Sequence, residues 1–194
     1  MLKPALLRYL TNRESHGGPP DLLLVHIVWK IEIKLLSLQA GSDENEVLSM
    51  ARNDIAKKWI EQVDEDILAA EALYNSGRWL YVGFLCHQAI EKTIKAYWLA
   101  MCDDEPLYLH NHFRLLEGCG LKEQLNEEQR RFIEIMSPMY IAARYPEYKN
   151  QVARVLNEKG CKYLINETKK LIGWILQKCS LETRPSILSD VISK

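Results

Sequence analysis

One segment, residues 79–101, constrains the fold of this chain more than any other. Its sequence, WLYVGFLCHQAIEKTIKAYWLAM, places apolar residues at helical spacing over one broad side. His87, Glu91 and Lys95 follow at i, i+4 and i+8 on the other side, so they form a row along the helix. Gln88 and Lys92 border this row. The segment therefore predicts a central helix that packs on one side and shows a polar row to a groove or a partner.

Composition excludes several classes of protein. The 194 residues include 25 basic and 26 acidic side chains, so no global charge favours nucleic acid or a membrane surface. Five cysteines form no CxxC pair and no Cys/His cluster with zinc spacing, which indicates reduced thiols in a cytoplasmic protein without a metal. We expect no cofactor.

Residues 1–45 are interpreted as an N-terminal extension that the core does not require. Residues 1–10 carry Lys3 and Arg8 and no long apolar run, so a signal peptide is not expected. Charged residues interrupt the apolar stretch 21–39 too often for a membrane span. Within it, apolar residues alternate with mostly polar ones from Val25 to Leu35, which favours a strand over the alternative of a helix.

Residues 46–180 are predicted to form an all-α, antiparallel, up-and-down bundle of four to five helices, and residues 181–194 a C-terminal tail. Short breaks joining the helices favour antiparallel neighbours. The acidic run 64–66 is interpreted as a solvated face. The predicted elements are a helix over 46–76 capped by Gly77, the helix over 79–101, a short helix capped by Asn111, a helix after Asn126 that Pro138 kinks or restarts, a non-helical hinge at 144–149, and a last helix from 151 or 157 to 179.

Four short motifs stand in the order found in one known family. They are an opening from Val63 to Trp79, the signature HQAIEKTIKA at 87–96, His110-Asn111 followed by Leu115-Leu116, and ARYPE at 143–147. Residues 50–179 resemble the HEPN family, the "higher eukaryotes and prokaryotes nucleotide-binding" helical domains. The resemblance implies a four-helix bundle that dimerises and is often encoded beside a minimal nucleotidyltransferase, as in toxin–antitoxin modules.

Some members of that family are metal-independent endoribonucleases, in which four to six residues separate an Arg from the His that follows it. Such chemistry needs the His to move protons and the Arg to stabilise the charged phosphate. Here Arg144 is followed in that window by Lys149, Asn150 and Gln151, and His110 lies far away in sequence. The Arg-Tyr-Pro motif resembles the non-nucleolytic branch, so we expect binding rather than RNA cleavage, and no catalytic residue is assigned.

The candidate binding residues combine charge, hydrogen-bonding groups and rings that could stack on a base. A purely structural role stays open for each of them, as do the alternatives of an endoribonuclease and of a helical adaptor without a ligand. The leading hypothesis is a dimeric binding or regulatory protein that acts with a nucleotidyltransferase-family partner and accommodates a nucleotide or RNA. Its candidate residues are His87, Gln88, Glu91, Lys95, His110, Arg144, Tyr145, Tyr148 and Lys149.

Overall fold

The computed structural model describes residues 31–39, 41, 43–148, 152 and 155–179. The chain divides into two compact units, Met1–Ala51 and Arg52–Lys194. Every packing contact and every site discussed below belongs to the second unit. The described residues contain helices and turns and no strand, which confirms the all-α prediction.

In the first unit, residues 31–39 are helical. The strand predicted for Val25 to Leu35 is therefore wrong where it can be compared, from 31 to 35, and its first part lies outside the described residues. A single strand leaves its backbone N–H and C=O groups without partners, whereas a helix pairs them within the segment. Alternation of apolar and charged residues did not outweigh that requirement.

Two long helices form one side of the bundle. Helix α1 spans Glu44–Asn75 and helix α2 spans Trp79–Met101. Gly77 ends α1 with φ of +70°, a conformation open to glycine without steric cost, and the N–H of Arg78 donates to the carbonyl of Leu73. Small and branched residues of α1, among them Ala56 and Ile60, pack with Ala89, Ala96 and Leu99 of α2.

The remaining helices pack around α2. They are α3 (His112–Gly118), α4 (Glu127–Met136), α5 (Met139–Ala142) and α6 (Glu158–Gln177), with 3₁₀ turns at Lys122–Gln124 and Pro146–Tyr148. Asn111, Asn126 and Asn157 cap α3, α4 and α6 through their side-chain oxygens. Pro138 separates α4 from α5, as predicted, and the predicted hinge contains the second 3₁₀ turn. The apolar side of α2 packs against these helices in one large core.

Arg52 joins α1 to the C-terminal end of α2. Its side chain is 7% exposed and donates five hydrogen bonds, one of them to the Glu105 carboxylate. The other four go to the carbonyls of Leu99, Cys102, Asp103 and Asp104 at 2.6–3.4 Å. The last carbonyls of a helix have no partners within it, so the buried guanidinium satisfies that of Leu99 together with three carbonyls of the residues that follow α2, and it opposes the negative end of the helix dipole.

The acidic run of α1 is less exposed than predicted. Asp66 pairs with Lys92 of α2 at 2.7 Å, and its side chain is 14% exposed. Burial raises the pKa of Asp66 against the opposing effect of Lys92. The interpretation as a solvated face is therefore wrong for Asp66, which contributes an interhelical ion pair instead.

Candidate functional site

The polar row of α2 lies inside the bundle. His87, Glu91 and Lys95 are 1%, 5% and 8% exposed. The prediction that this row faces a groove or partner is wrong for these three residues. Groups from α3, α4, α5 and the segment before α3 contact His87 and Glu91, and Trp59 of α1 lies over Lys95. Polar groups removed from water need partners, and the site is built from the partners these residues find.

Glu91 is the centre of a chain of charged hydrogen bonds. The ammonium of Lys95 donates to Oε1 at 2.8 Å, and Nδ1–H of His110 donates to Oε2 at 2.9 Å. Burial alone would raise the pKa of Glu91, but the hydrogen bonds from Lys95 and His110 outweigh it and lower the pKa, so the group stays a carboxylate. Lys95 also lies 5.5 Å from the ring centroid of Trp59. His110, with a side chain 45% exposed, is where this network reaches solvent.

Two buried histidines stack beside the network. The ring centroids of His87 and His112 are 3.9 Å apart. Nδ1–H of His87 donates to the carbonyl of Met136, and Nε2–H of His112 donates to the carbonyl of His87, each at 3.2 Å. Burial lowers the pKa of His87 to about 4 and that of His112 well below its usual range. Both rings are therefore neutral at pH 7, and each keeps one buried nitrogen without a hydrogen-bond partner in the described chain.

Tyr140 connects the histidines to Arg144. Its ring centroid lies 5.0 Å from that of His87 and 5.5 Å from that of His110. The guanidinium carbon of Arg144 lies 6.0 Å from the same tyrosine ring and 5.9 Å from the ring of Phe84. Arg144 is exposed, and no ion pair or side-chain hydrogen bond to it occurs among the residues described. A cation with no charged partner among the described residues thus lies near two aromatic rings, one of which also contacts the half-exposed His110.

The remaining candidate residues differ in their exposure and in their contacts. Tyr145 and Tyr148 are 53% and 39% exposed, and their rings meet edge to face at 6.4 Å. Gln88 is half-buried, and its amide nitrogen has no hydrogen-bond partner among the described residues. Lys149 lies outside the described residues. We call Phe84, His110, Tyr140, Arg144 and Tyr145 the Arg144 surface.

Four residues belong to the site without having been predicted from the sequence: Phe84, His112, Tyr140 and Trp59. Phe84 was visible one turn before Gln88, and Tyr140 four residues before Arg144, spacings that place side chains on one helical face. The stacking of His112 on His87 had no comparable sequence signal, because it depends on how α3 returns to α2. In the described part of the chain, no three His, Cys, Asp or Glu side chains converge on a position for a metal ion. None of the described helices combines the length and apolar character that a membrane span requires.

Comparisons with known proteins identify the fold. The model of the HEPN domain family matches residues 56–179, well over half of the chain. The crystal structure of TT1696 from Thermus thermophilus superposes with a TM-score of 0.55 at 20% sequence identity. The superposition covers 63% of this chain and 97% of that chain, and at this identity it shows a shared fold alone. No curated protein matches the sequence.

Proposed function

This chain belongs to the HEPN domain family, and on that premise we propose that it is a binding or regulatory protein that accommodates a nucleotide or RNA on the Arg144 surface. The observation that carries the proposal is the placement of Arg144. Its exposed guanidinium lies on the rings of Phe84 and Tyr140 and has no carboxylate partner among the described residues. A cation beside flat rings suits a ligand with a phosphate and a base.

The neighbouring residues support the same ligand class. His110 also contacts the ring of Tyr140 and adds a second hydrogen-bonding group. Its hydrogen bond to Glu91 fixes the orientation of the His110 ring. Tyr145 exposes half of its surface beside Arg144 and could stack on a base. Arrangements in which a polar group is positioned by a buried partner are typical of binding sites, since the geometry exists before the ligand arrives.

Affinity for nucleotides tests the proposal. We would measure binding of adenosine and uridine nucleotides and of short single-stranded RNA to the wild type and to Arg144→Ala. The matched control is Arg131→Ala, because Arg131 is an exposed arginine of α4 that pairs with Glu127 and lies outside the Arg144 surface. We expect at least a tenfold loss for Arg144→Ala, about 1.4 kcal/mol, and no change for Arg131→Ala. Nucleotide binding that is indifferent to Arg144 would instead favour a structural adaptor.

A metal-independent endoribonuclease is the second candidate, and one observation favours it. His110 is distant from Arg144 in sequence, yet both contact Tyr140, and Glu91 orients His110 as a carboxylate orients a general base. The nuclease motif requires a His separated from Arg144 by four to six residues, and that His is absent. We therefore expect no cleavage of structured or single-stranded RNA in EDTA. Cleavage that disappears in Arg144→Ala and His110→Ala would establish the nuclease instead.

We also propose that the protein acts as a homodimer with a nucleotidyltransferase-family partner, as the family resemblance implies. Large side chains that remain exposed on the second unit, including Tyr81 and Tyr108 at 52% and 86%, are consistent with a further interface. Sedimentation at micromolar concentration should give twice the 22.5 kDa chain mass. A clean monomer would contradict the dimer, and a neighbouring reading frame without nucleotidyltransferase motifs would argue against that partner.

A further inference from the structure

A pocket of about 280 Å³ lies between the last turn of α1 and the first half of α6, and it shares no residue with the Arg144 surface. Residues three and four apart on a helix share one face, so each helix turns a single face towards this pocket. The volume lies just below the range that holds drug-sized ligands and suits a small organic molecule. The six lining residues are Glu71, Tyr74 and Asn75 from α1 and Lys162, Ile165 and Asn166 from α6.

An ion pair lies at one end of this pocket. The ammonium of Lys169 donates to Oε1 of Glu71 at 2.7 Å. On one side of the pair, Ile67 of α1 and Ile172 of α6 belong to a packed apolar cluster. On the other side, this packing gives way to the pocket. Because Lys169 neutralises Glu71, Lys162 supplies the net charge of the lining residues.

Most polar groups of the lining are uncommitted. In the part of the chain that the structure describes, no side-chain hydrogen bond or ion pair is formed by the Lys162 ammonium, the Tyr74 hydroxyl, or the amides of Asn75 and Asn166. Beneath these groups, Ile165 is 5% exposed and the half-buried Tyr74 packs against the large core, so the floor is apolar. An apolar floor with a few unpaired polar groups is typical of a small-molecule site.

Charge selects the class of ligand. Lys162 favours an anion, whereas the negative end of the α1 dipole, at the pocket's other wall, opposes a second negative charge. No arginine is among the six lining residues, so the fork that suits a phosphate is absent from them. A carboxylate carries one negative charge and two acceptor oxygens, which match one ammonium and a neighbouring amide N–H.

We propose that this pocket binds a small monocarboxylate. Its carboxylate accepts hydrogen bonds from Lys162 and from the amide of Asn166, which lies one helical turn further along α6. Its apolar body lies on Ile165 and the Tyr74 ring. This site goes beyond the proposed function, because it uses a different ligand class and no residue of the Arg144 surface.

Benzoate is the test probe, because it combines a single negative charge with a flat apolar ring. Benzamide has nearly the same shape without the charge, so it is the matched control ligand. We would titrate each into the ¹⁵N-labelled full chain at constant ionic strength and follow the amide signals by NMR. For benzoate we expect shifts centred on residues 71–75 and 162–166, and for benzamide binding at least about tenfold weaker.

Variants at exposed positions test the contacts without disturbing the core. Lys162→Gln should weaken benzoate binding at least about tenfold. Lys170→Gln is its matched control, because it removes the same charge from an exposed position of α6 outside this pocket. Asn166→Trp should fill the pocket and abolish binding while the Tm stays close to that of the wild type. Arg144→Ala should bind benzoate like the wild type.

Three results would overturn this proposal. They are an absence of benzoate-induced shifts at the pocket in the millimolar range, benzamide binding as tight as that of benzoate, and benzoate binding that is indifferent to Lys162→Gln. Displacement of benzoate by adenosine monophosphate would also overturn it, since the pocket would then accept a phosphate. All of these results leave nucleotide binding at Arg144 to be decided by its own variants.

Discussion

Glu91→Gln tests whether the network beneath the Arg144 surface is held by charge. Glutamine has nearly the same shape, so the change removes the carboxylate charge and leaves the ammonium of Lys95, whose side chain is 10% exposed, without its charged partner. Removing one partner of a buried ion pair costs about 3–5 kcal/mol. Lys95 keeps its contact with Trp59, and the amide oxygen can still accept a hydrogen bond, so we expect the lower end, about 3 kcal/mol. For a domain of this size that lowers Tm by about 6–12 °C.

Urea and thermal unfolding at pH 7, followed by circular dichroism, measure this cost. The matched control is Glu127→Gln, because Glu127 forms the same i, i+4 pair with Arg131 while both side chains are 72% exposed. An exposed pair of this kind is worth about 0.3–0.5 kcal/mol. The double variant of Glu91→Gln and Lys95→Met removes both buried charges and should therefore be more stable than Glu91→Gln alone.

Two results would refute the reasoning. One is a cost for Glu91→Gln no larger than that for Glu127→Gln, which would mean that Lys95 reaches water without its partner. The other is a double variant that loses the full sum of the single costs, which would mean that the two charges contribute independently.

Three further predictions concern the same bundle. Burial lowers the pKa of His87 from 6.5 to about 4, so between these pH values the unfolded chain binds a proton at His87 that the folded chain does not. The free energy of unfolding should therefore fall by about 3 kcal/mol as the pH drops through this interval. His87→Gln should flatten that part of a plot of Tm against pH. Gly118→Ala places a Cβ 2.0 Å from the Trp98 ring, so it should lower the free energy of unfolding by about 1–3 kcal/mol. A Cβ at Gly173 would meet no atom within 4 Å, so Gly173→Ala should raise the free energy of unfolding by about 0.5–1 kcal/mol, as measured by urea unfolding. Asn126→Ala removes the hydrogen bond that the Asn126 side chain accepts from the N–H of Gln129 in a capping box, and it should lower the free energy of unfolding by about 1 kcal/mol.

Local features of the fold could be predicted from the sequence because their causes are local. Gly77 lies two residues after the end of α1, and Asn111 and Asn126 cap the helices predicted to follow them. Pro138 breaks the chain between α4 and α5 for the covalent reason that it lacks an N–H and crowds the preceding turn. These effects act within about four residues and do not depend on the rest of the fold.

The candidate site was predicted only in part, because its geometry depends on contacts between distant segments. Helical periodicity identifies the side on which His87, Glu91 and Lys95 lie but not how many neighbours cover that side. Their burial depends on groups from α1, α3, α4 and α5 and from the segment before α3 that pack against α2. The link between His110 and Arg144 passes through Tyr140, which lies 30 residues beyond His110 in the chain. Periodicity carries no information over such a separation.

Arg52 has a consequence for anyone who shortens this protein. The family match starts at residue 56, four residues after the side chain that satisfies the carbonyls at the end of α2. A gene cut at that match would encode the apolar core but leave Leu99, Cys102, Asp103 and Asp104 without their shared donor. The first residue of a minimal version is therefore decided by a polar contact upstream of the region that sequence similarity marks out.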